Sequence, residues 1–118
     1  MENNKIYTYI GFAIKSRKIR CGVNSVATLK NRVPLLLLCK TASDNTFDEV
    51  LKIAKKINSK IYISKTYKVE DLVNKEHCKL IAIQDSNLAK AIIENGKDHI
   101  VEYSGGYGNE YWRKKQRI

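Results

Sequence analysis

An uninterrupted apolar run, Leu35–Cys39, restricts the possible folds of this chain more than any other stretch. It stands between Pro34 and Lys40, and it is far shorter than the roughly 18 to 20 apolar residues that a membrane helix needs. A strand that is covered on both faces shows such a continuous run, because neither of its faces meets water. We therefore expect this strand to lie inside a sheet that is covered on both sides.

Helical and strand-like segments alternate around this run. Spacings of three and four residues between apolar positions such as Ile6, Ile10 and Ala13 predict an amphipathic first helix. The alternation indicates an α/β fold with helices on both faces of a mostly buried sheet. The segment HIVEY offers one further brief strand. The predicted order is helix 4–15, strand 18–22, a helix from residue 24 that stops before residue 34, strand 35–39, helix 46–57, strand 60–64, a short helix 69–74, strand 80–84 and helix 86–95.

Polar residues mark the expected starts of three of these helices. Asn24 is the predicted N-cap of the second helix. Thr46 and Glu49 have the spacing of a capping box at the start of the third helix. Ser86 is the predicted N-cap of the last helix, which should end at Gly96 because a glycine after an asparagine is a stop signal.

The length of 118 residues fits one domain with a single sizeable core. We assign residues 1–95 to this domain and residues 96–118 to a tail of different composition. The rings and cations of the tail suit stacking on flexible or single-stranded RNA. A solubilising end explains the same composition, and both interpretations stay open. The tail residues concerned are Tyr111, Trp112, Arg113, Lys114 and Lys115.

Positive charge is clustered along the chain rather than spread evenly. The formal net charge is +10, and long-range attraction to a polyanion is its physical consequence. Residues 15–32 contain six cations and no acid, and residues 113–117 contain four cations and no acid. Other stretches, such as DEVLKIAKK, mix both signs as an ordinary solvated face does. The clusters therefore favour a binding footprint over a general enrichment in lysine.

The cysteines and histidines do not indicate a metal site. Cys21, Cys39 and Cys78 are an odd number without CxxC spacing, so we expect small buried thiols rather than a zinc site or a disulfide framework. Neither histidine has a partner at metal-ligand spacing, and no cofactor is expected. Glu2 precedes any apolar stretch, which argues against a signal peptide and for a cytoplasmic protein.

Several pieces of the chain occur in the order found in a known family. They include GFAIKSRKIRCG at the end of the first helix, TASDNT after the leucine run, IYISKT, and LIAIQDSNLAKAI at the last strand and helix. Over residues 5–94 the chain resembles the kink-turn-binding ribosomal protein superfamily, whose archaeal member is L-seven-Ae, and is most similar to its small bacterial members. The resemblance implies a three-layer α/β/α sandwich with a mixed four-stranded sheet, and structured RNA as the partner.

The signature of the kink-turn binders, Gly-x-Asn-Glu-x-x-Lys, matches residues 22–28. By this resemblance, Gly22 lets the backbone approach RNA closely and Asn24 pairs with base edges of a non-Watson–Crick step. The helix start offers free N–H groups to phosphate. Ser25 and Thr28 stand where the family has Glu and Lys, so the resemblance favours general binding of structured RNA over tight kink-turn recognition. An ordinary helix N-cap is the other interpretation of Asn24.

A second RNA-contacting loop of the family matches VNKEHC, residues 73–78, which is more polar here than in the kink-turn binders. The surrounding cations are expected to contact phosphate, and solvated surface charge is the alternative for each of them. The candidate RNA-binding residues are Lys18, Arg20, Gly22, Val23, Asn24, Ser25, Thr28, Lys30, Arg32, Lys65, His77 and Cys78.

Together these features predict a non-enzymatic protein that binds ribosomal or another structured RNA, with no membrane partner. The alternative is a protein-interaction module that docks on a ribosome, another ribonucleoprotein, or the transcription and translation machinery. Related folds also serve as RNA-binding domains of some RNA methyltransferases. The chain itself has no P-loop, no GxGxxG after a strand and no arrangement typical of a catalytic triad.

Overall fold

The computed structural model describes residues 4–103, and the tail residues named above lie outside this range. Helix α1 has the bounds that the apolar spacing predicts. The short edge strand and the four later helical segments also occur in the predicted order. The described elements are α1 Asn4–Lys15, β1 Ile19–Cys21, α2 Val23–Ala27, β2 Leu35–Cys39, α3 Asp44–Ile57, β3 Ile61–Ser64, α4 Val69–Val73, β4 Leu80–Ile83, α5 Ser86–Asn95 and β5 Ile100–Tyr103.

The strands form one mixed sheet of five strands, in the order β1-β4-β2-β3-β5. Strands β2 and β3 run parallel, and the other three neighbouring pairs run antiparallel. Strand β2 is the leucine run, and it lies in the middle of the sheet with all five residues buried. The predicted mixed sheet and the predicted burial of this strand are therefore confirmed.

The brief strand predicted in HIVEY is confirmed as β5, and the number of four strands implied by the family resemblance is wrong because β5 adds a fifth. It pairs antiparallel with β3 on the side away from β2, with Ile100 opposite Ser64. Ile100 is buried, and the ring of Tyr103 packs edge-on against Phe47 of α3, with 5.2 Å between the ring centroids. The sheet therefore continues beyond residue 95, where the sequence interpretation placed the end of the domain.

Helices lie on both faces of the sheet, and alternate residues of β2 supply two apolar cores. Leu35, Leu37 and Cys39 belong to the core that α1, α4 and α5 complete. Leu36 and Leu38 belong to the core that α2 and α3 complete. Each side chain of β2 therefore meets other apolar side chains, whichever face it points to, and this explains why the strand has no polar position.

Two of the predicted N-caps are wrong, because a nearby polar side chain caps the helix instead. The N-cap of α3 is Ser43, whose Oγ accepts a hydrogen bond from the backbone N–H of Thr46 at 3.2 Å. Thr46 and Glu49 therefore do not form a capping box. The N-cap of α5 is Asp85, whose Oδ1 accepts from the backbone N–H of Leu88 at 3.0 Å. The predicted end of α5 at Gly96 is confirmed.

Candidate nucleic-acid interface

The turn between β1 and α2 depends on Gly22. Its φ of 92° and ψ of 150° lie in a region that only glycine adopts without strain. The Gly22 N–H donates to the Leu80 carbonyl at 2.7 Å, and the Gly22 carbonyl accepts from the Val26 N–H at 3.0 Å. Gly22 thus connects the end of the edge strand to the first residue of β4 and also starts helix α2.

Asn24 does not cap α2, so this prediction is wrong. Gly22 is the N-cap and no side chain caps the helix; Asn24 is the second helical residue, after Val23, and its side chain is exposed. The change follows from the turn, because the glycine conformation begins the helix two residues before the asparagine. The Asn24 amide is consequently not committed to the start of its own helix.

Helix α2 is shorter than predicted and ends at Ala27. Thr28 is the C-cap, and its Oγ1 donates to the Ser25 carbonyl at 2.7 Å. The Nζ of Lys56 in α3 donates to the Ala27 carbonyl at 2.6 Å. These side chains satisfy carbonyl groups that a further helical turn would otherwise satisfy, and the helix ends here. Lys30 and Arg32 therefore lie outside the helix, both exposed.

The loop between α4 and β4, residues 74–79, is held by Glu70. The backbone of Asn74 and of His77 is left-handed, with φ values of 56° and 65°. Oε2 of Glu70 accepts from the His77 N–H at 2.8 Å and lies 3.3 Å from the Nζ of Lys79. Lys79 also donates to Oγ1 of Thr41 at 2.9 Å. These bonds leave the His77 side chain exposed at the surface.

The two stretches that the family resemblance singles out meet at one carbonyl oxygen. The Leu80 carbonyl accepts the Gly22 N–H at 2.7 Å and the Cys78 thiol at 3.5 Å. A groove of about 340 Å³ lies where α1, β1, α2 and the end of α4 come together. We call it the edge groove, and its lining residues are Ile14, Ile19, Arg20, Cys21, Ser25, Val73 and Lys75.

The edge groove combines charge with apolar surface. Arg20 and Lys75 are exposed cations that line the groove. The Ile14 side chain also lines it and is 45% exposed. Ser25 adds a hydroxyl at the position where the kink-turn binders have a carboxylate. Cations suit phosphate and an exposed aliphatic side chain suits the face of a base, so this composition is compatible with an unstacked nucleotide.

The structure does not bring all candidate cations to this groove. The Lys18 carbonyl accepts from the Gln84 N–H, so Lys18 lies at the end of β4 that is opposite Gly22. Arg32 comes shortly before Leu35, which pairs with Ile83 at that same opposite end. Lys65 follows β3, and β4 and β2 stand between β3 and the edge strand, a separation of roughly 14 Å at the usual strand spacing.

Of the seven groove residues, only Arg20 and Ser25 were among the candidates; sequence reasoning missed Ile14, Ile19, Cys21, Val73 and Lys75. Lys75 lies in the matched loop, residues 73–78, and its positive charge could have marked it as a candidate phosphate contact. Ile14 is apolar but lies outside the buried face of α1, which Ile6 and Ile10 define. An apolar residue on the exposed side of a helix could have indicated a binding surface. Val73 is buried at the end of α4, and its place at the start of the matched segment 73–78 was the only sign that sets it apart from an ordinary core residue.

Glu70→Gln is expected to loosen the 74–79 loop. Burial favours the neutral acid, but hydrogen bonds from the His77 N–H and from Lys79 outweigh it and lower the pKa of Glu70. A lowered folded-state pKa means that the carboxylate stabilises the fold above its unfolded pKa, and that this contribution disappears as the pH falls through the folded value. Hydrogen exchange at the His77 amide should be several-fold faster in the variant at pH 7.

A matched control for this variant is Glu94→Gln, which removes an exposed carboxylate from α5. Denaturant midpoints of wild type and both variants, followed from pH 7 to pH 3, give the second readout. Wild type and Glu94→Gln should lose the Glu70 contribution on acidification, whereas Glu70→Gln should show a shallower pH dependence. Identical pH dependence and identical His77 exchange in all three proteins would show that Glu70 does not hold the loop.

The described part of the chain contains neither a metal-binding cluster nor a membrane-spanning helix. Among residues 4–103 no three His, Cys, Asp or Glu side chains are grouped so that they could hold a metal ion. No helix within that range is long and apolar enough to cross a membrane. All three cysteines are free thiols.

Comparison with known proteins shows a shared fold and indicates no function. No known family model matches the chain, and no curated protein does. One solved structure that is similar belongs to a protein of unknown function from Bacillus halodurans. The two superpose with a TM-score of 0.60 at 17% sequence identity, over 77% of this chain and 95% of the other. At that identity the likeness shows a shared fold alone.

Proposed function

We propose that this protein binds structured RNA, ribosomal or another non-coding RNA, at the edge groove and does not catalyse a reaction. The observation that carries the proposal is the Leu80 carbonyl, which joins the Gly22 turn to the 74–79 loop. That junction assembles two separate sequence segments beside one groove, which Arg20, Ser25 and Lys75 line, and Asn24 directly precedes Ser25 in α2. The proposal includes the three-layer α/β/α arrangement of the kink-turn binders, which the helices on both sheet faces support.

Affinity and selectivity would come from different parts of this surface. The net charge of +10 attracts a polyanion over long range, and Arg20 and Lys75 would neutralise phosphates beside the groove. At Gly22 no side chain stands between the backbone and a ligand. The exposed amide of Asn24 can donate to and accept from base edges, so it would contribute to the choice among RNAs.

The direct test is a salt-titrated binding measurement with three RNAs of equal length. They are a hairpin containing a kink-turn, an uninterrupted hairpin duplex, and a single strand. We expect binding to weaken linearly with the logarithm of salt concentration, with the strongest binding to the hairpin that contains unpaired bases. Absence of salt-sensitive binding to every RNA would overturn the proposal. Crosslinking in cells, followed by sequencing of the attached fragments, would name the natural RNA.

Asn24→Ala is expected to reduce discrimination among RNAs more than it reduces total affinity. The amide does not cap α2, so its removal should leave the free energy of unfolding nearly unchanged. Loss of a base-edge contact typically costs about 1 to 3 kcal/mol for the preferred sequence, which is about 5- to 150-fold in affinity. Binding of the kink-turn hairpin should fall by that factor, while binding of the uninterrupted duplex should change little.

The control for this variant is Asn87→Ala. Asn87 is also exposed and is also the second residue of its helix, α5, so it matches Asn24 in residue type and local position. Neither RNA should bind differently to the control. Equal losses on the kink-turn hairpin and on the uninterrupted duplex in Asn24→Ala would mean that Asn24 contributes no selectivity.

A protein-interaction module is the second candidate, and one observation favours it. Helix α1 exposes three large apolar side chains, Tyr7, Phe12 and Ile14, at 42%, 52% and 45%. Exposed aromatic and aliphatic residues on a single helix are typical of surfaces that dock a protein. If the protein binds purified ribonucleoprotein but none of the three naked RNAs, and Phe12→Ser removes that binding, this second candidate replaces the first.

A further inference from the structure

Two of the three cysteines lie together behind the edge groove. Cys21 is the last residue of β1, opposite Ile81 of β4, and packs against the same core to which Cys78 belongs. The Cys78 thiol donates to the Leu80 carbonyl at 3.5 Å, and the same carbonyl accepts from the N–H of Gly22, the residue next to Cys21. The third thiol, Cys39, is separate: it lies in β2, 3.0 Å from Oγ1 of Thr41.

The two neighbouring thiols differ in access to solvent. Cys21 is partly exposed and lines the groove, whereas Cys78 is buried with 5% of its surface accessible. Burial raises the pKa of the Cys78 thiol to about 11, and the adjacent Cys21 adds to the rise. Cys78 is therefore protonated at neutral pH. Cys21 is consequently the thiol that an oxidant dissolved in water meets first.

We infer that Cys21 and Cys78 are a redox-sensitive pair whose disulfide closes the edge groove and lowers its affinity for RNA. The effect on RNA rests on the proposed function; formation of the disulfide does not. The Gly22–Leu80 hydrogen bond holds the end of β1 beside residues 78–80, and the Cys78 thiol is hydrogen-bonded to that same Leu80 carbonyl, so the two cysteines lie on either side of one junction. Cysteine pairs that oxidise in reducing compartments are usually redox sensors rather than structural links.

The reaction consumes one molecule of a small disulfide oxidant such as oxidised glutathione. The Cys21 thiolate attacks one sulfur of the oxidant, forms a mixed disulfide and releases one glutathione thiolate, which takes up a proton. Cys78 then loses its proton to solvent and attacks the Cys21 sulfur, releasing the second glutathione. Two protein thiols are oxidised to one disulfide while one glutathione disulfide is reduced to two thiols. Dithiothreitol reverses the exchange.

The disulfide would change the shape of the groove. To bond with Cys21, the Cys78 sulfur must leave the Leu80 carbonyl and move toward the edge strand. The 74–79 loop, which carries Lys75 and His77, would move with it and shift Lys75 within the groove that it and Ser25 line. Since Cys21 itself lines the groove, the new bond lies where we place an RNA nucleotide.

The first experiment tests the disulfide without RNA. The full chain is incubated with oxidised glutathione at pH 8, digested under non-reducing conditions and mapped by mass spectrometry. A Cys21–Cys78 crosslinked peptide should dominate, form equally in Cys39→Ser, and be absent from Cys21→Ser. Circular dichroism before oxidation confirms that each variant is folded. Cys78→Ser should also lack the crosslinked peptide; should that variant not fold, Cys21→Ser and Cys39→Ser suffice. No Cys21–Cys78 peptide in wild type would overturn the inference.

The second experiment measures binding of the kink-turn hairpin by reduced and oxidised protein. Oxidation should weaken binding about tenfold, a factor in the ordinary range for coupling between two states, and dithiothreitol should restore it. Oxidation of Cys21→Ser should have no effect. Equal affinity of the reduced and the crosslinked protein would overturn the regulatory role. If the reduced protein binds no RNA, the proposed function fails instead, and the crosslink map alone decides whether the pair is redox-active.

Discussion

The double variant Arg20→Glu with Lys75→Glu should bind the kink-turn hairpin about 100-fold more weakly than wild type at low salt. A charge-assisted contact contributes roughly 1.5 to 3 kcal/mol, so loss of two contacts at the lower figure costs about 3 kcal/mol. The slope of log affinity against log salt should also decrease in magnitude by about 1.4 to 1.8, because two phosphates are no longer neutralised. Fluorescence anisotropy over a range of salt concentrations measures both quantities.

The matched control changes the same number of charges elsewhere. Lys52 and Lys55 are exposed on α3 and line a different pocket from the edge groove. Lys52→Glu with Lys55→Glu alters the net charge by the same amount as the groove variant. If attraction depended on net charge alone, both double variants would lose the same affinity. A binding site at the edge groove requires the α3 variant to lose far less, with nearly the wild-type salt slope. Equal losses would contradict the assignment of RNA to the groove.

The two double variants separate cations at the groove from cations elsewhere, a distinction that the sequence alone does not make. Residues 15–32 form one cationic cluster in sequence, but the structure divides it. Helix α2 runs for only five residues from Gly22, and the chain then returns to the opposite end of the sheet to begin β2 at Leu35. Arg20 consequently lies at the groove, while Lys18 and Arg32 lie at the other end of the short strands. For Arg32, nearness in sequence was a poor guide because the chain returns to the opposite end of the sheet between Gly22 and Leu35, whereas Lys18 is separated from the groove only by the length of β1.

Local patterns predicted the elements well where a single physical cause dominates. The continuous apolar run at Leu35–Cys39 follows from burial on both faces, and the helical spacing of Ile6, Ile10 and Ala13 follows from one buried face. Neither requires knowledge of distant residues. Helix starts were less certain because Ser43 and Thr46, or Asp85 and Ser86, offer competing polar side chains within a few positions. Which one caps depends on where the preceding loop leaves the sheet.

The candidate site could be predicted only in part, because it depends on pairing between distant segments. The resemblance to kink-turn binders singled out residues 22–28 and 73–78, but their meeting requires β1 to pair antiparallel with β4. Lys75 and Ile14 become groove residues only through that pairing. The fifth strand is a similar case: β5 is short, and its place beside β3 depends on the packing of Ile100 and Tyr103.

Gly22→Ala should destabilise the fold by about 1 to 3 kcal/mol, since the φ of 92° is strained for any residue with a Cβ. For a domain of this size, the midpoint of thermal unfolding should fall by roughly 5 to 15 °C. A Cβ at this position would meet no atom within 4 Å, so the penalty would come from backbone conformation and not from a clash. Differential scanning calorimetry measures the change in stability.

Gly11→Ala isolates this conformational cause. A Cβ at Gly11 would also meet nothing within 4 Å, but Gly11 lies inside α1, where alanine is more favourable than glycine by roughly 0.5 to 1 kcal/mol. The two identical substitutions should therefore change stability in opposite directions. If Gly22→Ala relieves its strain by moving the turn, the Gly22–Leu80 hydrogen bond is lost, and RNA affinity should fall even at temperatures where the protein is fully folded. Unchanged stability and affinity in Gly22→Ala would mean that neither the fold nor the groove depends on this turn.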